Sequence, residues 1–226
     1  MQKPIYSITP FTLLDYPDHT ACILWFAGCN MRCLYCYNPE IVLGKGTLTI
    51  EDTLQFLASR KHLLNGVVFS GGECTLHSGF PEMVRAAKEM GFLVKIDTNG
   101  SRPNVLEALI HQGYVDYVAL DFKALAKSYA GITRSHLHAD FEKSLHLLQE
   151  SRINFEVRTT WHRDLISTTE LHEMVSYLSA HAYHGTYYVQ HYVNHVTTLS
   201  PLPFSVPITD SSLFSTAQIE VVFRRS

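Results

Sequence analysis

The chain has 226 residues, 46% of them hydrophobic and 17% charged, with a formal net charge of −3. These values allow a sizeable core, exclude general disorder and, without a polybasic patch, argue against nucleic acid as a partner. No apolar run approaches the ~18 residues of a membrane span, and Met1-Gln2-Lys3-Pro4-Ile5 lacks the charged-then-apolar order of a secretory leader.

Five cysteines, three of them crowded together, do not resemble a disulfide framework, so a reducing cytoplasm is expected. The histidine pairs His181/His184 and His191/His195 have ligand-like spacing but no accompanying cysteine or carboxylate cluster, and they read as solvated surface. The length suits one large α/β domain or two small ones. The chain reads as one domain over 1–226, with a core at about 18–191 and an irregular arm plus short strand over 192–226.

In chain order, the first predicted strand spans 21–27 and feeds through Gly28 into Cys29-Asn30-Met31-Arg32-Cys33-Leu34-Tyr35-Cys36. A helix over 50–65 follows, opened by Thr49 with Asp52 three positions later, a capping-box pattern. The strand at 66–70 runs into Gly71-Gly72-Glu73, and the helix at 80–90 stops at Gly91. The strand at 93–97 ends in Asp97-Thr98-Asn99-Gly100, and Pro103 opens a helix over 104–112. The strand at 114–120 leads to Asp121-Phe122-Lys123, with a helix over 135–151 behind it. The strand at 154–159 carries Arg158, the helix at 168–181 is capped by Ser167 with Glu170, and the strand at 186–190 ends at Gln190 and His191. Pro201, Pro203 and Pro207 mark an irregular stretch over 197–216, and a short strand is expected at 219–224. Alternating β and α units imply a parallel sheet with right-handed crossovers. Six units fall short of a closed eightfold barrel, so the expected fold is α/β, a partial, open (β/α)6 TIM-like barrel.

The chemistry begins with Cys29, Cys33 and Cys36. Structural zinc sites and stable iron–sulfur clusters normally take four protein ligands, so three thiolates leave one metal site open. The alternative is a zinc site completed by Cys22 or a histidine. The loop follows a strand directly, which places it on the face where barrel enzymes build active sites. Gly71 and Gly72 let backbone approach a ligand closely, and Glu73 is suited to accept from an ammonium group. Cys74 reads as a small apolar filler rather than a fourth ligand. Arg158, at a barrel mouth, needs an anionic or carbonyl partner. Gln190 and His191 either complete the pocket or sit on its rim.

The set resembles the radical S-adenosylmethionine (SAM) superfamily, whose signature is C-x3-C-x-aromatic-C with Tyr35 in the aromatic place. The resemblance implies a [4Fe–4S] cluster on Cys29, Cys33 and Cys36, Tyr35 against adenine, and Gly71-Gly72-Glu73 at the amino group of SAM. Asp97-Thr98-Asn99-Gly100 and Asp121-Phe122-Lys123 resemble motifs of glycyl-radical-enzyme activases, which implies Lys123 at the SAM carboxylate and Asp121 at its ribose. It further implies a monovalent cation held by Asp97, Thr98, the carbonyl of Ala119 and Asp121.

The likeness runs over residues 5–191 and includes Leu14-Asp15-Tyr16-Pro17, Tyr37-Asn38-Pro39-Glu40 and Arg158-Thr159-Thr160. It is nearest to activating proteins of the anaerobic (class III) ribonucleoside-triphosphate reductase. The implied reaction cleaves SAM reductively to methionine and a 5′-deoxyadenosyl radical, which makes a glycyl radical on the partner. Beyond the first three cysteines only Cys74 follows, so the electron is expected from a flavodoxin or ferredoxin. The competing readings are a radical SAM enzyme on a small molecule, resembling 7-carboxy-7-deazaguanine synthase, and a non-catalytic iron–sulfur or zinc module.

Overall fold

Short runs of Val, Ile, Phe and Leu give this chain one eight-stranded sheet, in a computed structural model that describes residues 2–225. The spatial order is the chain order, β1 to β8. β1 (Ile5–Thr12) pairs antiparallel with β2 (Ala21–Phe26). β3 (Gly66–Gly71), β4 (Leu93–Thr98), β5 (Tyr117–Asp121), β6 (Asn154–Trp161), β7 (Gly185–His191) and β8 (Ile219–Arg225) then follow in parallel. β1 and β8 each have a single neighbour, so the sheet forms an unclosed, partial TIM-like barrel.

The helices are α1 (Pro39–Leu43), α2 (Ile50–Arg60), α3 (Phe80–Glu89), α4 (Pro103–His111), α5 (Ala126–Thr133), α6 (His138–Glu150) and α7 (Thr168–Ala180). α3 shows why they pack where they do. Phe80, Met83, Val84 and Ala87 recur at helical spacing and are all buried, and each of the larger three contributes about 1.5–3 kcal/mol of burial. They join Leu24, Phe26, Val67, Phe69, Val94 and Ile96 from the outer face of the sheet in the main core. Thr49 and Asp52 form the expected capping box at α2, and Ser167 caps α7 through the Glu170 N–H.

Strand β1 and the helices α1 and α5 were not legible from periodicity. Pro10 interrupts β1, which tolerates it as an edge strand with a register shift between Thr9 and Thr12. α1 has only five residues, and α5 contains Gly131. β5 starts at Tyr117 rather than 114, because Gly113 turns the chain at φ +72° and the Asp116 carboxylate accepts from the Val94 N–H at 2.7 Å. The terminal strand does more than expected: it pairs in parallel along the whole of β7 and becomes the seventh parallel strand.

The inner face of the sheet changes character along the strands. Tyr16, Ala21, Ile23 and Val68 form a small apolar plug, with Leu93 and Tyr117 against it. Beyond the plug, the inward positions become Ser70, Asp97, Asp121, Arg158 and Gln190, all of which line one cavity. Residues 192–205 fold back over the cysteine loop. The Leu199 N–H donates to the Cys36 carbonyl and the Ser200 N–H to that of Leu34, both at 3.1 Å. Val193 N–H donates to the Tyr37 hydroxyl at 2.7 Å, and Asn194 exchanges two hydrogen bonds with the Ser205 backbone. Among the described residues, no helix is long and apolar enough to cross a membrane.

Candidate active site

Two glycine positions build the floor of the site. Gly28, at φ +83°, lies two residues beyond β2 and turns the chain into the cysteine loop. Gly72 lies so close to it that an added Cβ would stand 1.9 Å from the Gly28 carbonyl oxygen. Backbone bonds lock the contact: Gly72 N–H to Phe26 O at 2.8 Å and Glu73 N–H to Gly28 O at 2.9 Å. The ends of β2 and β3 are thereby fused, and no residue with a side chain fits at Gly72.

The cavity above them measures about 250 Å³. It brings together Cys29, Cys33, Cys36, Tyr35, Gly71, Gly72, Asp97, Thr98, Asn99, Asp121, Lys123, Arg158 and Gln190, from separate places in the sequence. Residues that sequence reasoning had not placed there also line it: Ser70 directly before the glycines, Trp25 on β2, Thr160 on β6, and Asp15. Period 2 along β2, β3 and β6 was the available signal for the first three.

The three thiols are free, as are Cys22 and Cys74. Burial, with the nearby Glu73 adding to it, pushes Cys29 up to about 12. Burial also lifts Cys33 to about 11, against the opposing pull of Lys123. Thiols this high stay protonated at neutral pH, so binding a metal would release their protons. Among the described residues, no three His, Cys, Asp or Glu side chains converge on a single ion. A cubane with one thiolate per iron makes no such demand, and three free thiols on one cavity fit it. Cys74 points away, its S–H directed at the carbonyls of Phe69 and Asp97. That agrees with its reading as a filler.

Glu73 departs from expectation. It is 1% exposed and does not line the cavity. One carboxylate oxygen accepts from the Thr75 N–H (3.2 Å), the Thr75 hydroxyl (2.5 Å) and the Thr98 hydroxyl (2.8 Å), and the other from the Asn99 N–H (2.8 Å). With four donors already on it, Glu73 braces the turn after β4. Asn99 passes the order on: its amide donates to Asn30 Oδ1 at 3.0 Å, and Asn30 donates to the Ser101 hydroxyl at 2.8 Å.

His191 is also displaced from its expected place. Alternation on β7 turns Gln190 into the cavity and His191 outward, where it packs edge-on to Phe223 and Trp161.

The charged residues form one network. Lys95 Nζ stands 2.6 Å from Asp97 Oδ1; the Ser70 hydroxyl (3.1 Å) and Arg158 Nη2 (3.3 Å) meet Asp97 Oδ2. Arg158 Nε donates to Asp121 Oδ1 at 2.7 Å, and Lys123 Nζ to Asp121 Oδ2 at 3.0 Å. Burial alone would raise both acids, but the cations outweigh it: Arg158 and Lys123 hold Asp121 down to about 2, and Arg158 and Lys95 lower Asp97. The expected monovalent cation does not fit this arrangement. Every oxygen of Asp97 and Asp121 already faces a donor of the chain, and the Thr98 hydroxyl is taken up by Glu73 and the Gly100 N–H. Ala119 is wholly buried in mid-strand and does not line the cavity.

Known proteins resemble this chain in sequence and in fold. The chain is 34% identical over 171 residues to a Methanocaldococcus jannaschii protein provisionally named a glycyl-radical enzyme activating enzyme, covering 71% of this chain and 69% of the other. It is 35% identical over 113 residues to the pyruvate formate-lyase 1-activating enzyme of Escherichia coli K12, which is 46% of this chain and 45% of that one. The chain thus spans less than half of that enzyme. Among solved structures, Streptococcus suis SuiB matches with a TM-score of 0.67 at 15% identity, over 88% of this chain and 47% of SuiB. QueE from Escherichia coli matches at 0.54 and 16% identity, over 84% and 83%. At these identities the structures attest the fold alone. The family profile described as "Radical SAM superfamily" matches residues 23–165, from β2 through the end of β6. On that match, with its three thiols on one cavity at the strand ends, the chain belongs to the radical SAM superfamily, enzymes that use a [4Fe–4S] cluster and S-adenosylmethionine.

Proposed function

We propose that this protein is a glycyl-radical-enzyme activase, with the anaerobic ribonucleoside-triphosphate reductase as its partner and a flavodoxin or ferredoxin as electron donor, working in the cytoplasm as one domain. Cys29, Cys33 and Cys36 would hold the cluster. When bound, the cluster and SAM together supply a one-electron cleavage and a radical that takes a hydrogen atom from a glycine.

The chain's own residues do the rest. With SAM bound, Lys123 would face its carboxylate, Tyr35 its adenine, Asp121 its ribose, and the backbone at Gly71 and Gly72 its amino group. Three cations, Lys95, Lys123 and Arg158, stand around two carboxylates, Asp97 and Asp121, leaving one uncompensated positive charge. A bound carboxylate balances it. Glu73 acts at one remove, by holding Thr98 and Asn99 in place.

The observation that carries the reading is the convergence of Cys29, Cys33, Cys36, Asp121 and Lys123 on one cavity. The names of the M. jannaschii and E. coli relatives direct it to a glycine on a protein. A protein substrate is favoured over a small one by a further fact: the cavity lining ends at Gln190, so the arm over 192–205 does not roof it.

The test is anaerobic reconstitution with reductant and SAM, scored for 5′-deoxyadenosine, then for a glycyl signal by spin resonance with the class III reductase added. No 5′-deoxyadenosine from protein with an intact cluster rejects the enzyme reading. A glycyl signal only on another glycyl radical enzyme rejects the partner.

A further inference from the structure

We infer that Arg158 is a built-in replacement for an inorganic cation, so that SAM binding in this chain is independent of sodium or potassium. The inference rests on the SAM reading above, but its geometry stands separately. The strand register sets Arg158 on β6 directly beside Asp121 on β5. The placement is fixed by backbone rather than by reach: the Phe122 N–H donates to the Arg158 carbonyl at 2.8 Å, and the Thr159 hydroxyl to that of Phe122 at 2.6 Å. From there the guanidinium spans two carboxylates, with Nε 2.7 Å from Asp121 and Nη2 3.3 Å from Asp97.

Two acids side by side beneath an anionic ligand repel, and a cation between them removes the penalty. A mobile alkali ion and a tethered guanidinium meet that need equally by charge, but they compete for the same oxygen atoms. Here the oxygens are already claimed. Arg158 and Lys123 hold both oxygens of Asp121, and Lys95, Ser70 and Arg158 hold those of Asp97. Lys95 is 2% exposed, so its claim on Asp97 is not easily surrendered to solvent ions. The planar fork of arginine also suits this seat in a way lysine cannot, because only the fork offers donors in two directions at once. Arg158 is therefore a positioning residue: it keeps Asp97 and Asp121 together and charged, while Lys123, on the other oxygen of Asp121, is shared with the ligand.

The experiment measures SAM dissociation constants by calorimetry on the anaerobically reconstituted full chain in sodium, potassium and choline chloride at equal ionic strength. The wild type is expected to stay within twofold across the three salts. Arg158→Gln should bind at least tenfold more weakly in choline and recover on addition of sodium or potassium. Arg158→Lys should fall between the two. In parallel, the thermal midpoint of the cluster-free chain is followed in the same salts without SAM: unchanged for wild type, raised by the alkali ions over choline for Arg158→Gln.

Tighter SAM binding by the wild type in sodium or potassium than in choline, by tenfold, overturns the inference. So does an alkali-specific rise in the wild-type midpoint, or an Arg158→Gln protein that gains no response to either ion. If Arg158→Gln does not fold, the wild-type salt series decides alone. If SAM binds in no salt, the SAM reading fails, and the midpoint series still decides the role of Arg158.

Discussion

Asp121→Asn isolates the electrostatics of the site in one atom. The wild-type carboxylate sits between Arg158 Nε at 2.7 Å and Lys123 Nζ at 3.0 Å, which hold it at about 2 against its ordinary 3.8. A depressed carboxylate stabilises the fold above its ordinary pKa and loses that contribution as pH falls toward the folded value. At 1.36 kcal/mol per unit, the difference is worth about 2 kcal/mol at neutral pH. Removing the charge also leaves the Lys123 ammonium without its carboxylate; breaking a fully buried pair costs about 3–5 kcal/mol, and partial exposure of Lys123 reduces that here. Asp121→Asn should therefore lower the unfolding free energy of the cluster-free chain by about 2–4 kcal/mol at pH 7, read from urea titrations. The gap should narrow on acidification from about pH 5 toward pH 2, because the unfolded wild type takes up a proton near the ordinary 3.8 while the folded carboxylate stays ionised down to about 2. Equal urea midpoints at pH 7, or a gap that stays constant into acid, would refute the reasoning.

Cys33→Ala should yield protein without the visible charge-transfer band and without SAM cleavage; retention of either removes Cys33 from the ligand set. Cys74→Ala should leave iron content and SAM cleavage within twofold, since its S–H meets only the carbonyls of Phe69 and Asp97, and a tenfold loss would restore Cys74 as a participant. In Glu73→Gln, either orientation of the amide opposes an N–H to the backbone N–H of Thr75 or Asn99. At about 1–3 kcal/mol for a stranded donor, SAM binding should weaken about tenfold with the cluster band retained; unchanged affinity would show that the turn does not depend on Glu73. In cluster-free protein at pH 8, Cys29 and Cys33 should alkylate at least a hundredfold more slowly than an ordinary thiol, given values near 12 and 11. Mass spectrometry showing rates like those of free cysteine would contradict their burial.

What the sequence disclosed, it disclosed through local pattern. Runs such as Val67-Val68-Phe69 and Val118-Ala119-Leu120 mark strands because both faces of a parallel sheet are covered. The motif residues fell on one cavity because they share one chemical address, the carboxyl ends of those strands. The failures arise where meaning is not local. Glu73 looks like a ligand-facing acid until Thr98 and Asn99, a strand away, arrive to occupy it. His191 is one residue from Gln190, and a pleat sends the two to opposite faces. The cation was a sound electrostatic requirement, but the sequence could not say that Arg158 stands in register with Asp121. Nor could it forecast that β8 would lengthen the sheet, since the segment before it carries no helical period.

The hydrogen bonds from Leu199 and Ser200 to the cysteine loop give the chain's assembly a direction. The carbonyls of Leu34 and Cys36 find their partners more than 160 residues later, among the most distant contacts a chain of this length can make. Loop closure over such a span is entropically slow. During synthesis, the cysteine loop emerges early, and the carbonyls of Leu34 and Cys36 keep water as their partner until residues 199 and 200 arrive. The backbone around the cysteines is thus among the last parts of the fold to settle.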